Sequence, residues 1–304
     1  MVHVEQIATL PGHQNPVYTV EPSQKPGIIF TAGNDKGVVE WSLRKREFIK
    51  VMFPVASSVY SLHCPVNAPI LMAGERNGQV DVFDFIQQKI TSRLIHHKLP
   101  VFDIKSVKSK SEILVASEDG TVSVWNLLTY ELLYSFKVSN ETVRVIAVSP
   151  DEKLVAFGSK DAVIRIYNLT DFSLIEELKE HQLPITSLCF SPDGRFLLSG
   201  SRDAQLKAWA VPEFNLHQSV PAHLFAIYDI KFHPVLPYFA TASRDKTIKI
   251  WDADLKLLKI ISIEKGYPNH ILSVNKIAWD PETGNLISVS DDKLMMIWNV
   301  EFDS

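Results

Sequence analysis

Ser201-Arg202-Asp203-Ala204-Gln205-Leu206-Lys207-Ala208-Trp209 and Ser243-Arg244-Asp245-Lys246-Thr247-Ile248-Lys249-Ile250-Trp251 are two copies of one pattern, 42 residues apart. Stepping outward at the same interval gives an aromatic ladder: Trp41, Phe83, Trp125, Tyr167, Trp209, Trp251 and, after one longer step of 47, Trp298. Six residues before each rung stands an acid or its amide: Asp35, Asn77, Asp119, Asp161, Asp203, Asp245 and Asp292. Two residue types kept in phase over the whole length mark an array of seven related units.

Within one unit the texture is β. The fifth runs ITSLCFS, GRFLLSGSRD, AQLKAW and FNLHQSV, four short apolar or alternating stretches parted by polar turns, so four strands per unit are expected. One slot holds Val17, Val59, Val101, Val143, Ile185, Ile227 and Val274, and three residues on come Val20, Leu62, Ile104, Ile146, Leu188, Ile230 and Ile277. β-Branched and aliphatic side chains in such columns suit a buried sheet interior. Cys64 shares a column with Val148, Phe190, Phe232 and Trp279 and reads as a small core residue, not a nucleophile.

The 304 residues are 46% hydrophobic, enough for a substantial core, and the repeat argues for one domain. Asp and Glu number 35 against 31 Lys and Arg. The net charge of −4 therefore offers no global attraction to nucleic acid or anionic membrane. The apolar runs are strand-sized, and MVHVEQIATLPGH lacks a basic segment followed by an apolar one, so neither a signal peptide nor a membrane span is expected. Two cysteines in different units form no disulfide framework and suit a reducing compartment, with the cytoplasm expected, or the nucleus for a eukaryotic source.

The chain resembles the WD-repeat (WD40) β-propeller family along essentially its whole length. Trp251-Asp252 is a full WD pair, and Trp41-Ser42, Trp125-Asn126 and Trp298-Asn299 come close. His13, His97, His181, His223 and His270 each precede their rung by 28 residues, and Gly12-His13 matches the family's glycine-histidine pair. The resemblance implies an all-β, seven-bladed propeller of four-stranded antiparallel blades. It also implies, in each blade, a hydrogen-bonded chain of histidine, serine or threonine, aspartate and tryptophan. Serines two residues before the acids are the expected hydroxyl members. The complete sets are then His97, Ser117, Asp119 and Trp125; His181, Ser201, Asp203 and Trp209; His223, Ser243, Asp245 and Trp251; and His270, Ser290, Asp292 and Trp298. The first unit has Gly33 in that slot, the second has no such set, and the fourth offers Ser139, Ser159, Asp161 and Tyr167.

A serine, a histidine and an aspartate at fixed spacing also suggest hydrolysis, but chemistry is needed once and this trio recurs, each time tied to an indole that can only donate. Repetition favours a structural role. Only six residues follow Trp298, too few for a turn and an outer strand, whereas residues 2–10 precede the first histidine as an outer strand should. The N-terminal strand is expected to close the last blade, removing unpaired edges. The blades divide at about 11–53, 54–95, 96–137, 138–179, 180–221, 222–264 and 265–304, the last completed by 2–10.

No H-E-x-x-H, C-x-x-C, G-x-S-x-G, P-loop or G-x-G-x-x-G occurs, and His3, His63, His96, His217 and His233 are scattered over different units. No cofactor and no metal are expected, and the chain is read as noncatalytic. Function is expected on the face that carries the histidine and aspartate loops, where the family frequently binds peptides of partner proteins at the pore mouth. The residue after the first valine column is Tyr18, Tyr60, Phe102, Arg144, Thr186, Tyr228 or Asn275, and the residue before each acid is Asn34, Arg76, Glu118, Lys160, Arg202, Arg244 or Asp291. Aromatic platforms beside guanidinium groups suit an acidic or phosphorylated peptide. The long step falls in IEKGYPNH, which offers Lys265 and Tyr267 as loop contacts. The expected partners are proteins or peptides, met by a chain monomeric on its own or a subunit of a larger complex. The competing classes are a propeller enzyme with an axial metal or cofactor and an RNA-binding subunit of a ribonucleoprotein.

Overall fold

A computed structural model describes residues 2–66 and 68–302. Residues 1, 67, 303 and 304 lie outside the described residues, and the expected blade divisions include the last three of them. The described residues form seven four-stranded antiparallel sheets. The first runs Val17–Pro22, Ile28–Gly33, Gly37–Ser42 and Glu47–Pro54 from the axis outward, and its successors repeat that meander. Each innermost strand packs beside the next, and the ring closes where Val274–Trp279 meets Val17–Pro22. The last sheet is ordered Val274–Trp279, Leu286–Ser290, Met295–Phe302, Val2–Leu10, so its outer strand comes from the opposite end of the chain. Pairing runs antiparallel from Val2 opposite Phe302 to Leu10 opposite Met295.

The aliphatic columns pack between blades, as β-branched side chains do in a sheet buried on both faces. Trp209 lies with Ile164, Ile185 and Leu188 in one cluster, and Trp41 with Leu10, Val17 and Ile297 in another. Where the rung is not tryptophan, other aromatics fill the space. Phe83 stacks on Phe53 at 4.9 Å, and Tyr167 meets Phe136 and Phe157 at 5.7 and 5.5 Å.

The polar chain is present in five blades, with a different hydroxyl from the one expected. In the fifth, His181 Nδ1 lies 2.9 Å from Asp203 and Nε2 lies 2.8 Å from Ser199 Oγ, which also accepts the Trp209 indole N–H at 2.9 Å. Thr241 serves His223 and Trp251, and Ser288 serves His270 and Trp298. Ser123, on the third strand, serves His97 and Trp125. The first blade is complete because Thr31 joins His13 to Trp41. Thus Ser117, Ser201, Ser243 and Ser290 are not members of these chains. Ser201 donates to Leu183 O and accepts from the Asp203 amide, and Ser117 and Ser243 do likewise with Leu99 and Phe225 and the amides of Asp119 and Asp245. Ser290 accepts from the Asp292 amide.

The reason is register. Alternate residues of a strand share a face, so spacing alone cannot choose between positions 199 and 201. Trp209 stands opposite Leu197, which puts Ser199 diagonally within reach of the indole and leaves Ser201 at the strand end beside the turn. In the fourth blade Ser139 and Arg165 hold Asp161 instead, at 2.8 Å each. A neutral histidine satisfies the whole chain: indole donates to hydroxyl, hydroxyl to Nε2, and Nδ1–H to carboxylate. Ser199→Ala should therefore shift the Trp209 indole N–H proton resonance and lower stability by about 2 kcal/mol, as for any buried donor stripped of its acceptor. Ser201→Ala should leave that resonance in place, and identical indole spectra for the two variants would refute the assignment.

Candidate functional site at the pore mouth

Every innermost strand carries the same irregularity where it pairs with its neighbour. Val17 faces Gly33 and Thr19 faces Ala32, leaving Tyr18 outside the ladder. The same slip leaves Tyr60, Phe102, Arg144, Thr186, Tyr228 and Asn275 without partners in the other six blades. A bulge re-aims the side chain it carries, and here all seven line one open cup of about 330 Å³, together with Lys276.

The cup is lopsided. Tyr18 stacks on Tyr60 at 5.4 Å, Tyr60 leans on Phe102 at 5.2 Å, and the Arg144 guanidinium lies over the Phe102 ring at 4.7 Å. Blades 1 to 4 thus present a continuous shelf of three rings ending in a cation. On the other side two polar side chains are already engaged. Asn275 donates to Val17 O and to Asp291, both at 2.8 Å, and Thr186 Oγ1 bonds backbone carbonyls of Gly200 and Ile227. Burial first, then the neighbouring charge of Arg202, lowers the Arg144 pKa from its ordinary value, against the pull of Tyr228 and Glu118. A guanidinium stays charged under physiological conditions regardless. Burial, followed by Tyr60 and Asp291, raises the Tyr18 phenol, with Arg76 opposing.

The second column rims this cup. The backbone amides of Arg76, Lys160, Arg202 and Arg244 bond the carbonyls of Ser58, Thr142, Pro184 and Ala226, which pins each aspartate turn against the start of an innermost strand. Lys160 pairs with Glu141 at 3.0 Å, while Arg244 lies 5.9 Å over the Phe225 ring. Among the described residues, Arg76, Arg202 and Arg244 have no carboxylate within ion-pair distance. The structure does not bring Tyr267 to this group. The added segment forms a turn at Ile263–Lys265, Gly266 takes a φ of 84°, and Tyr267 packs half-buried over the outer strand Leu257–Ile261 with Lys259 5.9 Å from its ring. Asn269 clamps the insertion by donating to Lys246 O and Ile261 O, so the five extra residues fold down against the sheet edge.

Below the cup lies a set of charges that the sequence reading does not single out. Asp103 bonds Lys105 at 2.9 Å and accepts the Ile146 amide of the next blade at 2.8 Å. Asp229 does the same with Lys276 and the Ile277 amide, at 3.3 and 3.1 Å. Glu21 accepts the Cys64 amide at 3.0 Å and faces His63. Burial alone would raise the Asp103 and Glu21 pKa values, but the lysines in one case and His63 in the other, with the amides, hold both carboxyls below their ordinary range. These acids stitch one blade to the next. The signal was present as columns one and three residues beyond the mouth column, too irregular in residue type to stand out.

A family model described as WD domain, G-beta repeat matches residues 4–42, 88–126, 130–168, 172–210, 214–252 and 262–299. The stretch between the first two matches contains Val55 and Phe83 where other blades carry histidine and tryptophan. Among curated proteins, the chain is 24% identical over 139 residues to the COMPASS component SWD3 of Saccharomyces cerevisiae, covering 43% of this chain and 44% of that protein. It is 26% identical to the transcription factor unc-37 of Caenorhabditis elegans over 50% of this chain and 24% of the relative. It is 27% identical to the U5 small nuclear ribonucleoprotein 40 kDa protein of Dictyostelium discoideum over 41% of this chain and 35% of the relative. The matched part thus spans less than half the length of each of these relatives. With the family model matched over well over half of the residues and all seven blades in place, the chain belongs to the WD domain, G-beta repeat family.

Proposed function

We propose that the protein is a noncatalytic interaction scaffold that takes acidic or phosphorylated segments of partner proteins at the pore mouth. The observation that carries this reading is the ring of seven bulged positions around one cup, with a guanidinium held on an aromatic shelf. Arg144 is already oriented by Phe102, so less freedom is lost when it forms two parallel hydrogen bonds to a carboxylate or phosphate. Tyr18, Tyr60 and Phe102 supply rigid contact area at low entropic cost. Arg202 adds a second positive charge that favours anions over neutral ligands.

The names of the relatives speak of a component of a complex and a ribonucleoprotein protein, which supports protein partners as the general role. The location is proposed as cytoplasmic, with the nucleus the alternative that those names favour. In affinity capture from the source cell, an Arg144→Gln, Arg202→Glu double variant should recover the partners of the wild type at least roughly tenfold less well, the loss expected when a desolvated charge contact is broken. Recovery of the same partners in the same yield by a folded double variant would remove the mouth from consideration.

A further inference from the structure

The two residues that follow each tetrad histidine change character around the ring. They are Gln14-Asn15 in blade 1, Lys98-Leu99 in blade 3 and, after Val55 and Ser139 in the histidine slot, Ala56-Ser57 and Asn140-Glu141 in blades 2 and 4, but Gln182-Leu183, Leu224-Phe225 and Ile271-Leu272 in blades 5, 6 and 7. Leu224 is 83% exposed, Ile271 62% and Phe225 56%, with Leu183 and Leu272 also exposed. Single exposed aliphatics are ordinary, whereas a run of them on three successive blades marks a contact surface.

These side chains sit on a fixed base. The aspartates that hold the histidines also accept the amides of Gln182, Leu224 and Ile271, at 3.0, 3.0 and 3.1 Å, so each loop is anchored at its base beneath the exposed side chains. Binding there would cost little loop entropy. The charge exposed to solvent in this sector is mainly positive. Asp203, Asp245 and Asp292 keep their charge but are turned inward onto histidines, and Asp291 is half-buried against Asn275, while Arg202, Arg244, Lys246 and Lys293 are exposed against the exposed Glu180 and Glu264.

We infer that the top of blades 5 to 7 is a docking surface for an amphipathic acidic segment of a partner protein, one that alternates large apolar residues with Asp or Glu. The inference rests on the mouth reading and extends it, since Arg202 joins the apolar arc to the Arg144 side of the cup. Charge selects this occupant. A second copy meeting the surface about a twofold axis would set Arg202 and Arg244 against their own like charges, and the chain's net charge of −4 opposes an anionic membrane.

The test pans a phage-displayed library of random dodecapeptides on the full chain, then measures the enriched sequences as synthetic peptides by fluorescence anisotropy. They should combine Asp or Glu with Leu, Ile, Phe or Trp, and should bind a Leu224→Ser, Ile271→Ser variant roughly thirtyfold more weakly, the loss expected for two apolar contacts. The variant's thermal midpoint should match the wild type, because both side chains are exposed. Enriched peptides that ignore this variant but fail on Arg144→Gln, Arg202→Glu would overturn the inference and leave the mouth reading intact. Peptides indifferent to both variants would overturn both readings. The inference also falls if nothing is enriched, if phosphatidylserine vesicles bind the wild type and not the variant, or if the wild type sediments as a dimer that the variant abolishes.

Discussion

A chain lacking residues 2–10 is expected to melt at least about 10 °C below the full-length protein and to self-associate. Val4 and Leu10 are buried in two different core clusters, and exposing each costs about 1.5–3 kcal/mol. The antiparallel ladder from Val2–Phe302 to Leu10–Met295 is lost with them, at about 1 kcal/mol per hydrogen bond. A total above about 5 kcal/mol, at about 2–4 °C per kcal/mol for a large domain, gives the stated shift. Strand Met295–Phe302, which carries Trp298, is left with an open edge available to a neighbouring molecule. Calorimetry and sedimentation velocity measure the two effects. Adding a synthetic peptide of residues 2–10 should restore both, and a truncated protein that melts with the parent would show that the last blade does not need its borrowed strand.

Asp203→Ala is expected to cost about 3 kcal/mol, or about 5–10 °C in thermal midpoint, the range for leaving buried donors without an acceptor. The carboxylate serves the His181 ring and the amides of Gln182 and Gln205 at once, at 2.9, 3.0 and 2.9 Å. The cost should also depend on pH. Burial would raise this carboxyl, but the His181 hydrogen bond and charge and the two amides overcome it and hold the pKa at about 2, below the ordinary 3.8. A depressed carboxyl contributes stability that is present above the ordinary value and lost as pH falls toward the folded one, here about 2 kcal/mol between roughly pH 4 and 2. Asp119 is held down to about 2 by His97 and Thr121 against its own burial, so it adds to the same loss. His13 and His223 act in the same direction but at higher pH. Burial lowers their pKa values from 6.5 despite Asp35 and Asp245, so the unfolded chain takes up protons first as pH drops below that value. The wild-type midpoint should therefore fall continuously from neutrality into acid, and the gap to Asp203→Ala should narrow below about pH 4. A gap that stays constant from pH 7 to pH 3 would mean that the carboxylate is not bound as described.

The fold was legible because its information is periodic. Trp209 and Trp251 with Asp203 and Asp245 set a phase, and the number of blades, the strands in each and the source of the closing strand all follow from that phase. What stayed hidden depends on register rather than on period. Ser199 and Ser201 differ only in how their strand is paired with that of Trp209, and no spacing along one strand contains that pairing. The mouth column was legible as Tyr18, Tyr60, Phe102 and Arg144, yet the bulge that turns it inward was not. Tyr267 misled because an added loop was read by its length alone, whereas Asn269 and the apolar strand beneath it decide which way the loop lies.

The unpaired position in each innermost strand separates two demands that most sheets impose on the same residue. Val17 and Val20 pack the blades together; Tyr18, one step away, contributes neither a rung to the ladder nor a column to the core. Its identity is therefore unconstrained by the ladder and the core, as the presence of tyrosine, phenylalanine, arginine, threonine and asparagine at equivalent places attests. The mouth behaves as a combination lock of seven dials whose neighbours touch, as Tyr18, Tyr60, Phe102 and Arg144 do. A library randomised at these positions alone should yield mostly folded proteins with new ligand preferences, a property of the backbone slip and not of the side chains now mounted on it.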